Sequence, residues 1–361
     1  MNPTAPDYAG ACVSNIVPAI LGSSSRSWLP APARDASQIV LLVLDGLGWS
    51  ELRKRRPPVL SSMEGGSITT VVPSTTATVL TSITTGAPSA EHGIVALRML
   101  VGDVSLHVLK WLAFGGDAPD PEKLQTVKPF LGTPVPIVTR SSYQRSGFTV
   151  AHLRGARYFG WYTTSTLVER VRRLVRDGER FVYAYYDGVD HLAHVRGLND
   201  GFYEAELAFA DRLVGEMMAV LPADAALIVT ADHGQVDLPV GSWMQLPGDV
   251  LARVREQSGE ARFRFLYSDD PASLLAACRE QLGDAAWVFS RDELIESRLL
   301  GPKAPRPEVA ARLGDVVLAA RAPVGFIDPA FPEEVRLRSA HGSLTEAEMI
   351  VPLLGARGLS P

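Results

Sequence analysis

The sequence predicts an α/β protein built on a doubly wound, mostly parallel sheet that is flanked by helices and carries a smaller inserted cap. Three near-continuous apolar runs, 36–45, 181–186 and 226–231, are typical of strands buried on both faces of a parallel sheet. Segments with apolar residues at helical spacing lie between these runs. This alternation of strands and helices favours a doubly wound sheet.

The remaining elements can be placed in chain order around those strands. After the first strand, the extended residues 71–73 give way to a helical run that ends at Gly86. The Arg-rich, amphipathic stretch 164–177 predicts a second helix before the second strand. A third helix is predicted over 201–220, where acidic residues lie near the start.

Proline and glycine become frequent in 115–136 and 238–248, which indicates long excursions from the sheet. We therefore predict a core formed by 36–237 and 331–361, a cap subdomain over 238–330, and an N-terminal segment, 1–35, that packs on the core. Within the cap, Phe263, Phe265 and Tyr267 alternate with other residues, as in a strand with one buried face.

Composition argues against several classes of protein. The chain has 361 residues, 35 Lys and Arg against 40 Asp and Glu, and a formal charge of −5, which is no signature for polymeric nucleic acid. Cys12 and Cys278 are far apart and predict free thiols instead of a disulfide scaffold. The N-terminus lacks a signal-peptide pattern, and no apolar run reaches the length of a membrane span. We expect a cytoplasmic protein with no membrane partner.

Acidic residues collect where the predicted strands end. Asp45 ends the first strand, Asp187 and Asp190 follow the second, and Asp232 follows the third. Open α/β sheets bind ligands at the carboxyl ends of their strands. We therefore expect these carboxylates to lie at one edge of the sheet.

The second strand is followed by two carboxylate–imidazole pairs with the same spacing. Asp190 and His194 lie four residues apart, and so do Asp187 and His191. Either pair would project from one face of a helical turn and could hold one ion. The spacing alone does not choose between them.

Two further histidines lie elsewhere in the chain. Asp232 and His233 are adjacent and need a sharp turn to converge, which Gly234 permits. By themselves they are equally typical of a capping aspartate beside a surface histidine, and His341 alone is typical of a loop histidine. Their significance depends on the whole set.

Carboxylates combined with imidazoles, without cysteine, suit zinc, with manganese as the alternative. Six such ligands are enough for two ions. Two neighbouring ions can clamp the attacking and departing oxygens of a phosphoryl group, so the set indicates phosphoester hydrolysis.

Thr76 is the candidate nucleophile. It lies where the extended residues 71–73 give way to the helical run, so a helix N-terminus would add its dipole and free N–H groups to the stabilisation of phosphate oxygens. A hydroxyl at this position is also typical of a plain N-cap.

Together these motifs resemble the alkaline phosphatase superfamily and, within it, the nucleotide pyrophosphatase/phosphodiesterase (type I phosphodiesterase) family. The resemblance covers about 36–235 and 335–355. It rests on Asp45-Gly46, Pro73-Ser74-Thr75-Thr76, Thr85-Gly86, Glu91-His92-Gly93-Ile94, the segment from Tyr186 to Gly197, Thr230-Ala231-Asp232-His233-Gly234 and His341-Gly342.

The resemblance implies an alkaline-phosphatase-like fold and a dizinc hydrolase of phosphodiesters or pyrophosphates. Gly197, three residues after His194, matches the family pattern and selects Asp190 with His194 over Asp187 or His191. Thr76 would touch the second ion, attack phosphorus and form a phosphothreonine intermediate. The ligand sets implied are Asp190, His194 and His341 for one zinc, and Asp45, Asp232 and His233 for the other.

One position departs from the family pattern. Where the family usually carries an Asn that donates to a phosphoryl oxygen, this chain has Leu97, and the neighbouring Arg98 is the substitute donor we predict. A phosphomonoesterase or phosphonate hydrolase on the same site is therefore the alternative activity, and a non-catalytic module that binds metal or phosphorylated ligands is the second alternative. The expected partner is a small phosphoester, with a nucleotide as one candidate; oligomeric state is left open.

Overall fold

The computed structural model describes residues 2–22 and 24–360. Its strands are β1 Ile39–Leu44, β2 Glu64–Thr69, β3 Arg98–Val101, β4 Val104–His107, β5 Leu112–Phe114, β6 Pro136–Val138, β7 Arg157–Tyr158, β8 Phe181–Tyr186, β9 Ala226–Thr230, β10 Val236–Asp237, β11 Trp243–Met244, β12 Glu256–Glu260, β13 Phe263–Tyr267, β14 Ala286–Ser290, β15 Val316–Ala320, β16 Gly325–Phe326, β17 Ser339–Ala340 and β18 Ile350–Arg357.

The helices are α1 Ile16–Leu21, α2 Ala31–Arg34, α3 Trp49–Arg55, α4 Pro58–Ser62, α5 Thr76–Thr85, α6 Ser89–His92, α7 Pro121–Leu124, α8 Gly147–Leu153, α9 Thr164–Arg176, α10 Gly188–Arg196, α11 Gly201–Val220, α12 Gly248–Leu251, α13 Pro271–Leu282, α14 Arg291–Glu296, α15 Pro307–Ala310 and α16 Glu346–Met349. Short 3-10 turns occupy Val13–Asn15, Pro129–Gly132, Ser141–Tyr143, Ala311–Leu313 and Pro332–Arg336. None of the helices in the described ranges is both long and apolar enough to cross a membrane.

The central sheet has seven strands in the order β2-β18-β9-β1-β8-β6-β7. Strand β1 lies between β8 and β9 and is parallel to both, with Ile39 opposite Phe181 on one side and Ala226 on the other. Strand β18 is antiparallel to both of its neighbours, β2 and β9. The predicted doubly wound, mostly parallel α/β class is confirmed.

A second sheet, also of seven strands, is antiparallel and has the order β14-β15-β13-β12-β3-β4-β5. Four of its strands lie within the predicted cap, 238–330, and three come from 98–114. Two separate parts of the chain therefore form this sheet. The pairing of Gly259 in β12 with Arg98 in β3 connects them. The predicted domain boundaries remain a prediction.

Strand β13 differs from its predicted pattern, because all five of its residues are buried, including Arg264. A guanidinium can be buried when carboxylates pair with it, and Arg264 contacts Glu334 at 2.9 Å. Arg262, two residues before Arg264, forms a bidentate ion pair with Glu348, with N–O distances of 2.7 and 2.9 Å. These pairs tie the second sheet to the segment that contains His341.

Candidate metal centre and substrate cavity

The carboxyl ends of three adjacent strands bring the predicted acidic residues together. Asp45 follows β1, Asp232 follows β9 after one residue, and Asp190 lies in the first turn of α10, which follows β8. His341 arrives from elsewhere: β17 pairs with β10, so that Ala340 lies opposite Val236. The predicted edge of the sheet thus gathers residues from four separate segments.

Asp190, His194 and His341 form the first candidate ligand group, with donor atoms all within 4.8 Å of one another. Asp190 Oδ1 lies 3.4 Å from His194 Nε2 and 3.8 Å from His341 Nε2. The two Nε2 atoms are 3.2 Å apart. This group contains the predicted pair at helical spacing, Asp190 and His194, on one face of α10.

Asp45, Asp232 and His233 form the second group, whose donor atoms also lie within 4.8 Å of one another. His233 Nε2 lies 3.5 Å from Asp45 Oδ1 and 3.4 Å from Asp232 Oδ2. The two groups are neighbours, because the rings of His233 and His341 stack with their centroids 3.5 Å apart.

Backbone carbonyls fix the tautomers of all three histidines. A carbonyl oxygen only accepts hydrogen bonds, so the ring nitrogen beside it must carry the proton. The other nitrogen, Nε2, is then left with a free lone pair that can bind a metal. The three Nδ1–carbonyl contacts are His194 with Ser339 at 2.8 Å, His341 with Ser74 at 3.0 Å and His233 with Gly234 at 3.2 Å.

The carboxylates also leave oxygens without partners. Asp45 Oδ1 and Asp232 Oδ2 are buried and have no hydrogen-bond partner within residues 2–22 and 24–360. Their other oxygens are held in place: Tyr185 donates to Asp45 Oδ2, and the amides of Gly46 and His233 donate to Asp232 Oδ1, each at 3.0 Å. Buried polar atoms are normally paired. Unpaired oxygens that face imidazole lone pairs suit a divalent cation, and the donor set fits the predicted metal ions.

The electrostatics of these carboxylates and imidazoles also favour a cation. Burial, and then the charges of Asp232 and Asp190, raise the pKa of Asp45 well above its usual range. Burial, and then His233 and His194, hold the pKa of His341 well below its usual range. A bound cation would favour the ionised carboxylate and the neutral imidazole, which are the forms that bind metal.

Thr76 is the first residue of α5, a helix of ten residues, and its side chain is almost buried. Its Oγ1 lies 3.1 Å from His233 Nε2, beside the second ligand group. The first N–H groups of a helix have no partner inside the helix, so those at the N-terminus of α5 can donate hydrogen bonds to a phosphate oxygen next to the Thr76 hydroxyl.

The alternative pair, Asp187 and His191, does not converge on the site. Arg140 Nε contacts both carboxylate oxygens of Asp187, at 2.8 and 2.6 Å, and Tyr143 donates to one of them at 2.6 Å. His191 is exposed. The structure therefore brings together Asp190 with His194.

Arg98, predicted as a substitute phosphate donor, is paired elsewhere. Its guanidinium is buried and contacts Asp328 at 2.7 Å and Glu334 at 3.1 Å. Neither Arg98 nor Leu97 lines the cavity beside the metal centre. Arg98 thus supports the second sheet, because a buried guanidinium must remain with its carboxylates.

A cavity of about 560 Å³ opens beside Thr76, Asp45 and Asp190. It lies between α5, which contributes Thr76 and Leu80, and the helix α8. The remaining lining residues, from α8 and from neighbouring loops and strands, are His107, Leu109, Lys110, Thr139, Ser142, Tyr143, Ser146, Phe148, Thr149, His152, Leu153, Tyr183, Tyr185, Asp187 and His191.

Sequence reasoning did not identify several residues of the site. Gln235 donates a hydrogen bond to Asp190 Oδ1 at 2.7 Å. Its position two residues after the candidate ligand His233 was the signal that could have identified it. Tyr185 contacts Asp45 across two adjacent strands, and α8 reaches the cavity only through tertiary packing. No sequence pattern marks the contacts of Tyr185 or α8.

Comparison with known proteins places these features in context. Residues 39–344 match the model of a family described as type I phosphodiesterase / nucleotide pyrophosphatase. No curated protein has a significantly similar sequence.

Solved structures share the fold at low sequence identity. Murine ectonucleotide pyrophosphatase/phosphodiesterase 5 is 14% identical with a TM-score of 0.68, over 90% of this chain and 88% of the murine chain. An inactive threonine-to-alanine variant of that protein, in complex with AMP, is 14% identical with a TM-score of 0.67, over 88% and 87%. Phosphonoacetate hydrolase from Sinorhizobium meliloti, in complex with phosphonoformate, is 18% identical with a TM-score of 0.65, over 91% and 92%. These similarities establish a shared alkaline-phosphatase-like fold.

Proposed function

Because the chain belongs to the type I phosphodiesterase/nucleotide pyrophosphatase family and is an enzyme of that hydrolase type, we propose that it cleaves phosphodiesters or pyrophosphates with Thr76 as nucleophile and two divalent cations. Zinc is the metal we favour, with manganese as the alternative. Asp190, His194 and His341 would hold one cation, and Asp45, Asp232 and His233 the other. Two ions in these places would neutralise phosphoryl oxygens and favour the ionised Thr76 hydroxyl.

The observation that supports this proposal is the position of Thr76. Its hydroxyl lies 3.1 Å from His233 Nε2, and it begins a helix whose N-terminus faces the same place. A phosphoryl group between the two ligand groups would meet the nucleophile and the helix N–H groups together.

The reaction would proceed in two displacements. Thr76 Oγ1 forms a bond to phosphorus while the bond from phosphorus to the leaving oxygen breaks, and the leaving group takes that electron pair and a proton. Water then attacks the phosphothreonine, the phosphorus–Oγ1 bond breaks, and the threonine hydroxyl is restored with a proton from the water.

The substrate we propose is a small phosphoester or pyrophosphate. Two structural relatives were solved with small phosphorus compounds, AMP in one and phosphonoformate in the other. The cavity of about 560 Å³ beside Thr76 is large enough for a leaving group the size of a nucleoside. Cytoplasmic localisation and the absence of a polymeric nucleic-acid partner remain predictions.

Phosphomonoester or phosphonate hydrolysis on the same residues is the rival activity. It is favoured by Leu97, which supplies no side-chain donor where family members usually carry Asn. Comparing kcat/KM for 4-nitrophenyl phosphate with that for bis(4-nitrophenyl) phosphate separates the two, because a diesterase must accommodate a second substituent.

The test of the nucleophile is Thr76→Ala with bis(4-nitrophenyl) phosphate as substrate and zinc per chain measured by elemental analysis. We expect kcat to fall at least about a thousandfold, because removing a nucleophile removes the covalent route. The zinc content should stay near two per chain, since six other ligands remain.

Thr84→Ala is the matched control. Thr84 is buried on the same helix, and its hydroxyl donates only to the helix carbonyls of Leu80 and Thr81, at 3.0 and 3.2 Å. This variant should retain most of the activity. Undiminished turnover by Thr76→Ala would exclude Thr76 as the nucleophile, and turnover without bound metal would exclude the dimetal mechanism.

A further inference from the structure

The wall of the cavity opposite Thr76 contains a histidine that the proposed reaction does not use. His152 lies on α8, is only 5% exposed and lines the cavity. Its ring stacks on Phe148, one helical turn earlier, with centroids 3.9 Å apart and planes tilted by 19°. His152 therefore has a fixed place and a fixed orientation.

The protonation of this ring is also fixed by its neighbours. His152 Nδ1 lies 2.6 Å from the carbonyl oxygen of Phe148, so Nδ1 must carry a proton and donate it. Burial lowers the pKa of His152 to about 4, so the ring is neutral near pH 7. The other nitrogen, Nε2, then bears a lone pair and no proton.

Within residues 2–22 and 24–360, no side chain or backbone group hydrogen-bonds to His152 Nε2. Nε2 is not among the fully buried atoms that lack a partner, so it is accessible, and a donor in the cavity that His152 lines can reach its lone pair. The cavity is the space from which such a partner can come.

The lining of this cavity is mixed. Leu80, Leu109, Leu153 and Phe148 are apolar, whereas His107, Lys110 and the buried, unpartnered hydroxyl of Tyr183 are polar. The Thr149 hydroxyl is already engaged, because it donates to the Tyr143 carbonyl at 2.7 Å and accepts from Ser146 at 3.1 Å. The carboxylates in the lining are Asp45, Asp190 and Asp187, which belong to the metal centre or pair with Arg140.

We propose that His152 is a specificity-determining residue, which selects leaving groups with a flat or apolar body and an N–H or O–H donor that hydrogen-bonds to Nε2. Leu80 lies four residues and about 6 Å along α5 from Thr76 and lines the same cavity as His152, so a leaving group still attached to phosphorus can extend into that cavity. The inference rests on the proposed function and adds the class of leaving group.

Two matched phosphodiesters test this assignment. Both are aryl methyl phosphates: the leaving phenol of one carries a 4-carboxamide, which has N–H donors, and that of the other a 4-(N,N-dimethyl)carboxamide, which has none. The wild-type enzyme with zinc should prefer the first by about tenfold in kcat/KM, mainly through KM, as expected for one hydrogen bond.

His152→Phe keeps the aromatic stack and removes the acceptor, so the preference should disappear. His152→Gln replaces the ring with an amide oxygen that can accept, and it should restore part of the preference. Because both substrates are measured on each variant, the extra bulk of the dimethyl amide cancels in the comparison. A merely structural role for His152 would change both substrates equally.

The possible failures are distinguishable. A wild-type enzyme that hydrolyses both substrates with a ratio near one, or a His152→Phe variant that keeps the wild-type ratio, overturns the role of His152 and leaves the proposed function standing. Absence of turnover with any aryl phosphoester in the presence of zinc and likewise of manganese overturns the proposed function itself. If His152→Phe does not fold, the kcat/KM ratios of the two substrates for the wild type and for His152→Gln still test the role of His152. A His152→Gln variant with the same ratio as wild type, when that ratio is near one, contradicts the proposal.

Discussion

The histidines of this protein show how one backbone group decides what an imidazole can do. In His194, His233 and His341 a carbonyl beside Nδ1 leaves Nε2 free to bind metal. His92 is arranged the other way round: the Ile94 amide donates to its Nδ1 at 3.1 Å, so Nε2 carries the proton and donates to Ser82 at 2.8 Å. The same side chain is thus suited to bind a metal in one place and is a structural donor in another.

His92 gives a prediction about pH. Burial, and then Arg312, lower its pKa to about 3, whereas an unfolded histidine titrates near 6.5. Between these values the unfolded chain binds a proton that the native state does not, so the free energy of unfolding falls as pH falls, by up to about 1.4 kcal/mol per pH unit. His92→Gln should show a shallower dependence between pH 6.5 and 4.5, measured by urea unfolding.

Ser82→Ala is the control for this measurement. It removes the hydrogen-bond partner of His92 and keeps the titrating group, so it should lower stability at every pH without changing the slope. Equal slopes for the wild type and His92→Gln would show that His92 does not contribute to acid sensitivity.

At the scale of elements, the most consequential contacts join the turn between β12 and β13 of the second sheet to the segment that carries His341. Glu348 lies in α16, close after His341, and accepts from Arg262 and from the amide of Ser343 at 2.9 Å. Arg262 also donates to the carbonyls of Ala322 and Val324, each at 2.9 Å. The segment 341–348, which we call the ligand loop because it begins with the candidate ligand His341, is therefore held by a buried ion pair between its Glu348 and Arg262 of the second sheet.

Breaking this pair on one side should be costly. Glu348→Ala leaves the Arg262 guanidinium buried without its carboxylate, and we expect a loss of about 3–5 kcal/mol in the free energy of unfolding. The double variant Arg262→Met with Glu348→Leu should recover much of this loss, because no charge is then buried unpaired. Thermal and denaturant unfolding of the three variants measures both effects.

An exposed pair provides the contrast. Arg255 and Asp269 contact each other at 2.8 Å, and both side chains are largely exposed to solvent. Asp269→Ala should change stability by less than about 1 kcal/mol. If Glu348→Ala were as mild as Asp269→Ala, the buried pair would not hold the ligand loop in place.

For the whole molecule, the candidate metal centre is the place where distant parts of the chain meet. Its candidate ligands lie just after β1 and β9, within α10 and in the loop after β17, and the rings of His233 and His341 stack between the two groups. Without a cation, buried carboxylates face each other, which opposes folding. Metal binding should therefore stabilise the entire fold.

We expect zinc to raise the Tm of the chelator-treated protein, by the equivalent of about 2.7 kcal/mol for each of the two proposed sites when free zinc is a hundred times the Kd of that site. In Asp45→Asn this increase should shrink, while the metal-free protein should be no less stable than wild type, because Asp232 and Asp190 lose a like-charged neighbour. Thermal unfolding with and without zinc measures both quantities.

Asp187→Asn is the matched control, because Asp187 lies beside the centre and pairs with Arg140. It should keep the zinc response. A zinc response that is equally large in Asp45→Asn would remove Asp45 from the ligand set.

The sequence by itself determined the class of fold and the residues that the site assembles. The apolar runs of β1, β8 and β9 are local features, and a strand buried on both faces must be apolar along its length. Parallel strands end at a common edge, so Asp45, Asp190 and Asp232 could be placed there from the sequence.

Only the tertiary structure decided how the second sheet is composed and what Arg98 does. β3 to β5 lie far in sequence from β12 to β15. The local sequence of a strand does not predict which distant strand will pair with that strand. Arg98 is buried because Asp328 and Glu334 come to it from more than two hundred residues away. The cavity wall at His152 likewise depends on the packing of α8 beside α5. Local patterns specify strands and ligands, whereas partners across the chain are chosen by burial and charge pairing.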